Sequence, residues 1–247
     1  MSALAAEGLT RRFGGLTAVD DVSITLAIGE LHAVIGPNGA GKSTLVNLLA
    51  GELRPSAGRI WLGREEVTAW PSWRRALAGI GRSFQRSNVM RGMTVLENVR
   101  LAAQAGEFPL RRWLRPAARE HGPLRAARGA LTRVGLREAE ERVAGTLSHG
   151  ELRLLEIAMA LAMRPTVLLL DEPLAGLGPE EGERVAALLR QLARDHALLL
   201  IEHDMDVVFA VADRLTVMVE GRVLERGTPA EIRASPAVRE AYLGQGA

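Results

Sequence analysis

The sequence predicts an α/β domain whose parallel sheet is covered by helices on both faces. Three observations carry that expectation. Short, almost wholly apolar runs of strand length occur at 31–35, 166–170 and 197–201. Strands buried on both faces lose the polar–apolar alternation of a half-exposed sheet. Amphipathic helical spacing separates these runs, with Leu45, Leu48 and Leu49, then Leu152, Leu155, Met159 and Ala162, then Val185, Leu188, Leu189 and Leu192. Strands alternating with such helices are the pattern of a layered α/β domain. Finally, 247 residues at 47% hydrophobic content can build a sizeable core, as one large domain or two small ones.

Residues 31–35 read as a strand that runs into a glycine-rich loop at 36–44, and a helix follows until Gly51 stops it. A turn and a strand at 60–62 come next. A short helix spans 70–78 with Pro71 near its first turn, and a short strand at 79–85 leads into a loop. The stretch 86–143 is rich in Ala, Leu, Arg and Glu. It reads as a small helical region broken at Pro109, Pro116 and Pro123. The strand at 166–170 delivers Asp171 and Glu172, and the strand at 197–201 delivers Glu202 and His203. A helix through Met205, Val208, Phe209 and Ala212 and a strand pair around Gly221 complete the tail. Thr228, Pro229 and Glu231 spell a capping box with proline at the first helical position.

Composition removes several functional classes. With no cysteine there is neither a disulfide framework nor a thiolate metal site. No apolar run approaches the ~18 residues of a membrane-spanning helix. The first residues lack a basic segment followed by an apolar one, so no secretory signal is expected, and a soluble, cytoplasmic protein is. A net charge of +2 gives little support for nucleic-acid binding. Seven arginines and one acid, Glu120, lie between Arg111 and Arg133. That run is a solvated face or a contact with lipid headgroups or a partner.

The chain contains one lysine, Lys42, against 30 arginines. A compact ammonium is retained where a planar guanidinium does not serve. Lys42 sits in Gly36, Pro37, Asn38, Gly39, Ala40, Gly41, Lys42, Ser43, Thr44, which fits the phosphate-loop pattern G-x-x-x-x-G-K-[ST]. Glycines let backbone N–H groups converge on an anion, and the helix adds its positive end. Lys42 can reach β- and γ-phosphates, and Ser43 can ligate Mg²⁺. Asp171 and Glu172 end a buried strand, where ligands bind in open α/β sheets. Asp171 can hold Mg²⁺ through water, and Glu172 can polarise an attacking water. His203 at the next strand end can hydrogen-bond a γ-phosphate or that water.

These motifs occur in the order and spacing of the ATP-binding subunit of ABC transporters, and nearly the whole chain resembles that family. The resemblance implies a P-loop NTPase fold with a mainly parallel sheet, an N-terminal antiparallel β subdomain and an inserted α-helical subdomain. It implies one domain over 1–247, with the core at about 1–85 and 164–247 and the helical part at about 86–163. Leu147-Ser148-His149-Gly150-Glu151 looks like the family signature LSGGQ, with His149 and Glu151 as departures. Ser148 and Gly150, which in the family contact the γ-phosphate, are kept. Gln85 looks like the glutamine that senses Mg²⁺ and the attacking water. Phe13 looks like the aromatic that stacks on adenine, although by itself it would be an ordinary core residue. Gly178 stands where many members have Asp in the loop that reaches across a dimer.

The resemblance further implies ATP and Mg²⁺ as ligands. ATP would lie between the Lys42 side of one subunit and the Ser148 side of another, so the chain would be half of a working pair with an identical or paralogous subunit. Its other implied partners are membrane permeases and, indirectly, a solute-binding protein, with no nucleic acid. The implied location is the inner face of the plasma membrane. Residues 85–93 would face the permease, with Val89 and Met90 either docking there or packing in the core. The strings LSHGELRLLEIAMALA, DEPLAGLGPEE and VREAYLG look like the branched-chain amino acid importer type. Urea or amide importers and a lipopolysaccharide exporter are the related alternatives. A GTPase is excluded, because no lysine remains for reading guanine. A DNA-tethering relative would need a long heptad segment between the phosphate loop and the signature.

Overall fold

The structure, a computed structural model, describes residues 2–83, 88–105 and 121–243. Strands β1 (Ser2–Phe13) and β2 (Leu16–Ala27) form a long antiparallel hairpin closed by Gly14 and Gly15. The helix α1 (Lys42–Ala50) intervenes before β4 (Ala57–Leu62) pairs antiparallel with the free edge of β1, and β5 (Glu65–Glu66) extends it. This four-stranded sheet runs in the order β2-β1-β4-β5. The second sheet comprises β3 (Leu31–Ile35), β6 (Ile80–Arg82), β7 (Val167–Asp171), β8 (Ala197–Ile201), β9 (Arg214–Val219) and β10 (Arg222–Gly227), in the order β10-β9-β3-β8-β7-β6. All its pairings are parallel except the β9–β10 hairpin.

The continuous apolar runs are explained by burial on both faces. Successive side chains on a strand point to opposite sides. Leu168, Leu170, Leu198 and Leu200 enter one core with the helices α3 (Val95–Ala105), α4 (His121–Val134), α5 (His149–Ala162) and α6 (Pro179–Ala193). Val167, Leu169, Leu199 and Ile201 enter a second core with α1 and the antiparallel sheet. The five-residue strands β3, β7 and β8 are buried throughout.

The helical faces follow the sequence spacing on α1 and α6, where Leu45, Leu48, Leu49, Leu189 and Leu192 are fully buried. On α5 the buried surface wraps further round, taking in Ile157, Ala158 and Leu161, while Leu152 and Met159 lie at the core's margin. Pro123 does not break a helix. It lies inside α4, two residues after the first described residue of that helix. Pro109 and Pro116 lie outside the described residues. The tail contains α7 (Met205–Val211), α8 (Pro229–Ala234) with its capping box on Thr228, and α9 (Pro236–Leu243).

The short helix α2 (Ser72–Leu77) carries a feature that no spacing announces. Its Arg75 is 1% exposed. The guanidinium donates to the carbonyls of Leu48 (2.7 Å) and Leu49 (2.8 Å) at the end of α1, and to Thr68 (3.0 Å). A cation at a helix C-terminus complements the helix dipole; here it adds a charged donor to Leu48 O, which also accepts the Gly51 N–H at 3.2 Å, and supplies one to Leu49 O. Burial lowers its pKa to about 10. Arg75→Met should destabilise the chain by about 2–4 kcal/mol, because the carbonyls of Leu48, Leu49 and Thr68 each lose a charged donor. Urea denaturation of the variant and parent measures this.

Candidate functional site

The loop between β3 and α1 is built from main chain. Gly36 and Gly41 have φ of 151° and 93°. A Cβ on Gly36 would overlap the Met218 carbonyl oxygen, and one on Gly41 would overlap that of Ala18. Both positions therefore need glycine for conformation and for clearance. Residues far apart in sequence hold the loop in place. Gly221, in the β9–β10 turn, donates its N–H to the Ala40 carbonyl at 3.1 Å, and Asp20 N–H donates to Gly221 O at 2.8 Å. Lys42, buried at 9% exposure, folds its ammonium onto the carbonyls of Gly36 (2.6 Å) and Pro37 (2.9 Å). Helix α1 begins with Gly41 as its N-cap and has no side-chain cap. Its first N–H groups are thus left for something else.

A cleft of about 730 Å³ opens over this loop. Asn38, Gly39, Ala40, Gly41, Lys42, Ser43 and Thr44 line it on one side, with Phe13, Leu16 and Thr17 from the β1–β2 hairpin and Glu172 and Glu220 opposite. Phe13 is 42% exposed, so it is no core residue, and the Arg11 guanidinium stacks 4.5 Å from its ring centre. The aromatic and the phosphate loop share one cleft.

The strand β7 places Asp171 beside the loop at 2% exposure. Burial pushes its carboxyl above the usual range, with Arg82 and Lys42 opposing. Burial likewise lowers the Lys42 ammonium, and Glu172 and Asp171 oppose that shift. Asp171 Oδ1 is buried without a hydrogen-bond partner. Glu172 is half-buried at φ +50°, a backbone region that non-glycine residues rarely adopt, and its N–H donates to Ile201 O at 2.9 Å. That peptide turns Glu172 out of the strand and into the cleft wall. Strained positions of this kind gather at working sites.

Glu202, at the end of β8, is 1% exposed and accepts the Leu174 N–H at 2.8 Å, so it fixes the segment after β7. Burial raises its pKa. Its neighbour His203 is largely solvent-exposed, with Nδ1 at 3.9 Å from Glu202. Asp204 is a helix cap, accepting the N–H groups of Asp206 and Val207. Gln85 lies outside the described residues.

Ser148 and Gly150 do not line the phosphate cleft. They open α5, where Ser148 and Glu151 form a reciprocal capping box. Arg142 pairs with the Glu151 carboxylate at 2.6 Å, so the departure at Glu151 comes with its own counter-ion. Gly176 and His149 approach each other closely, and a Cβ on Gly176 would lie 3.2 Å from the His149 ring. Gly178 gives α6 an N-cap without a side-chain hydrogen bond. Of the Val89–Met90 pair, Val89 packs on the core and Met90 is 52% exposed, its main chain held by Asn98. Sequence reasoning missed Glu202's grip on Leu174, the Ala18 and Gly221 contacts to the loop, and Arg75. Only the strand-end position of Glu202 offered any signal.

The arrangement can grip a polyphosphate with uncapped amides and an ammonium, and it can present a carboxylate to a reacting group. The donor set also suits Mg²⁺, which takes one or two protein oxygens beside phosphate oxygens. The orphaned, buried Oδ1 of Asp171 is the observation that fits such a cation.

Comparison with known proteins places the chain in a family. The family model described as ABC transporter matches residues 19–175. The model described as branched-chain amino acid ATP-binding cassette transporter matches residues 222–247. The chain is 41% identical to the high-affinity branched-chain amino acid transport ATP-binding protein BraF of Pseudomonas aeruginosa, over 98% of each chain. It is 42% identical to the protein of the same description, LivG, of Salmonella typhimurium, again over 98% of each. The crystal structure of MJ1267 in its ADP conformation, an ATP-binding cassette of an ABC transporter, superposes with a TM-score of 0.88 at 33% identity, covering 99% of both chains.

Replacing the single lysine tests the loop. Lys42→Ala should weaken MgATP binding by about 100-fold or more, since a charge-assisted contact to phosphate is lost. Titration calorimetry on the folded variant measures the loss.

Proposed function

The chain belongs to the ABC transporter ATP-binding family, and from that membership we propose that it powers an importer of branched-chain amino acids. It is an ATPase. The observation that carries the mechanism is the single cleft that unites the uncapped start of α1, Lys42, Phe13 and the strained Glu172. The importer class is supported by the BraF and LivG relatives and by the subgroup match at 222–247.

In this reading the loop amides and Lys42 hold the phosphates of ATP, and Phe13 stacks on the adenine. Ser43 and Asp171 would hold Mg²⁺, together with Gln85. When bound, the ion would supply charge neutralisation to the phosphates. Glu172 orients the attacking water and takes up its proton. His203, exposed at the end of β8, meets the γ-phosphate once the site is closed. Ser148 and Gly150 stand outside their own cleft and complete the site of a second ATPase, identical or paralogous. ATP favours the closed pair over the open one, and hydrolysis reverses the preference. The helices 86–163 act as the arm that carries the signature, and 1–85 with 164–247 act as the nucleotide-holding core.

No described helix is long and apolar enough to cross a membrane. The relatives' transport description supports permease subunits as the transport path, with the chain held at the inner membrane face through them. A groove of about 320 Å³ between α2, β6 and α5 is the docking place, bordered by Trp73, Asn88 and Met159. Trp73 is 64% exposed. The solute-binding protein acts one step further away, on the outer face of those permeases.

Glu172→Gln should lower ATP turnover by about 10²–10⁴-fold while leaving ATP affinity intact. Unchanged turnover would remove Glu172 from its role. Trp73→Ala should keep the basal ATPase rate within about twofold and reduce co-purification with the permease subunits. Retained co-purification would move the docking surface elsewhere.

A further inference from the structure

The start of α5 already holds an anion. Glu181, in the first turn of α6, lies flat against Gly150: a Cβ there would come 2.5 Å from Glu181 Oε1 and 2.6 Å from its Cδ. Ser148 Oγ donates toward the same Oε1 across a long 3.4 Å. The Ser148 oxygen meanwhile accepts the Glu151 N–H at 3.1 Å. The other carboxylate of this turn, Glu151, is neutralised by Arg142. Glu181 has no such partner, and among the described residues no arginine or histidine forms an ion pair with it.

A serine hydroxyl carries one proton. While that proton is directed to Glu181, Ser148 cannot donate to another acceptor. Two anions at one helix start also repel each other. Gly150 makes the overlap possible, because any side chain there would push Glu181 off.

The geometry points to Glu181 as a positioning residue that occupies the signature's anion seat in the open chain and must leave it before a partner's γ-phosphate can bind. This inference rests on the ATP-sandwich reading above. Glu181 then sets how much ATP is needed to close the pair. It has no contact with the chain's own phosphate cleft, so it discriminates between the triphosphate, which reaches across the pair, and the diphosphate, which does not.

The test uses the full chain carrying Glu172→Gln, which lets ATP-bound pairs accumulate. The chain is taken alone at high concentration and also mixed with a paralogous ATPase. Sedimentation velocity across an MgATP titration gives the half-saturating ATP concentration for pairing. Adding Glu181→Gln should lower it by about 3–10-fold, a helix-end charge effect. Glu181→Ala should lower it similarly. Glu180→Gln, an equal charge change on an exposed neighbour in the same turn, should leave it within about twofold. ADP affinity should be the same in all variants. An unchanged half-saturation in both Glu181 variants overturns the inference, as does an equal shift in Glu180→Gln or a matching shift in ADP affinity. If the Glu172→Gln parent never pairs with ATP in either setting, the sandwich reading itself fails.

Discussion

Main-chain amides converge on one point only when the carbonyls beside them are satisfied elsewhere. In this fold that constraint governs the arrangement around the glycine-rich loop. Gly36 and Pro37 give their carbonyls to Lys42, and Ala40 gives its own to Gly221. Each pairing gives a loop carbonyl a donor of its own, so that none of the three is left unsatisfied beside the cleft. Helices α5, α7 and α8 start with side-chain caps from Ser148, Asp204 and Thr228. Helix α1 has none, nor have α2 and α6, but only at α1 does the uncapped start line the glycine-rich cleft among these three. Its first N–H groups are therefore open to an anion.

Charge burial follows from the same placement. Asp171, Lys42, Arg82, Glu202 and Arg75 are each shifted in the direction that desolvation dictates. Asp171 and Lys42 partly compensate one another, and Glu202 is anchored by an amide. Arg75 is compensated by backbone carbonyls, two of them at a helix end. It joins the far end of α1 to α2, whose Trp73 borders the groove beside α5. The two ends of α1 thus serve different needs: anion attraction at the start, and attachment to a neighbouring surface at the finish.

The strands and the phosphate loop were legible because their signals are local. Four successive apolar residues at 167–170 mean burial on both faces, and a chain's sole lysine directly after a glycine run marks a place for an anion. The strand-end acids were legible for the same reason. What stayed hidden is long-range. Ala18 and Gly221 are ordinary as residue types, and only the hairpin β1–β2 and the antiparallel turn β9–β10 bring them to the loop. Arg75 is one arginine among 30. Pro123 read as a break because proline is disfavoured in helix interiors, yet it lies within α4. Phe13 left two readings open, and its exposure at the cleft removes the core reading.

Separation of the two recognition elements within one chain has a physical consequence. The phosphate cleft presents donors and a carboxylate on one side, while Ser148 and Gly150 stand outside it on the start of α5. In the proposed reading a single copy holds a nucleotide on one side only. Closure would then come from a second subunit, and the free energy of closure would be the difference between what the signature offers the γ-phosphate and what it gives up. Glu181 belongs to the second term, because its carboxylate already uses the Ser148 hydroxyl and the space above Gly150. A fully vacant signature would bind the triphosphate more tightly but would also resist opening after hydrolysis. A weakly held internal anion narrows that difference, which suits a motor whose two states must both be reached in every cycle.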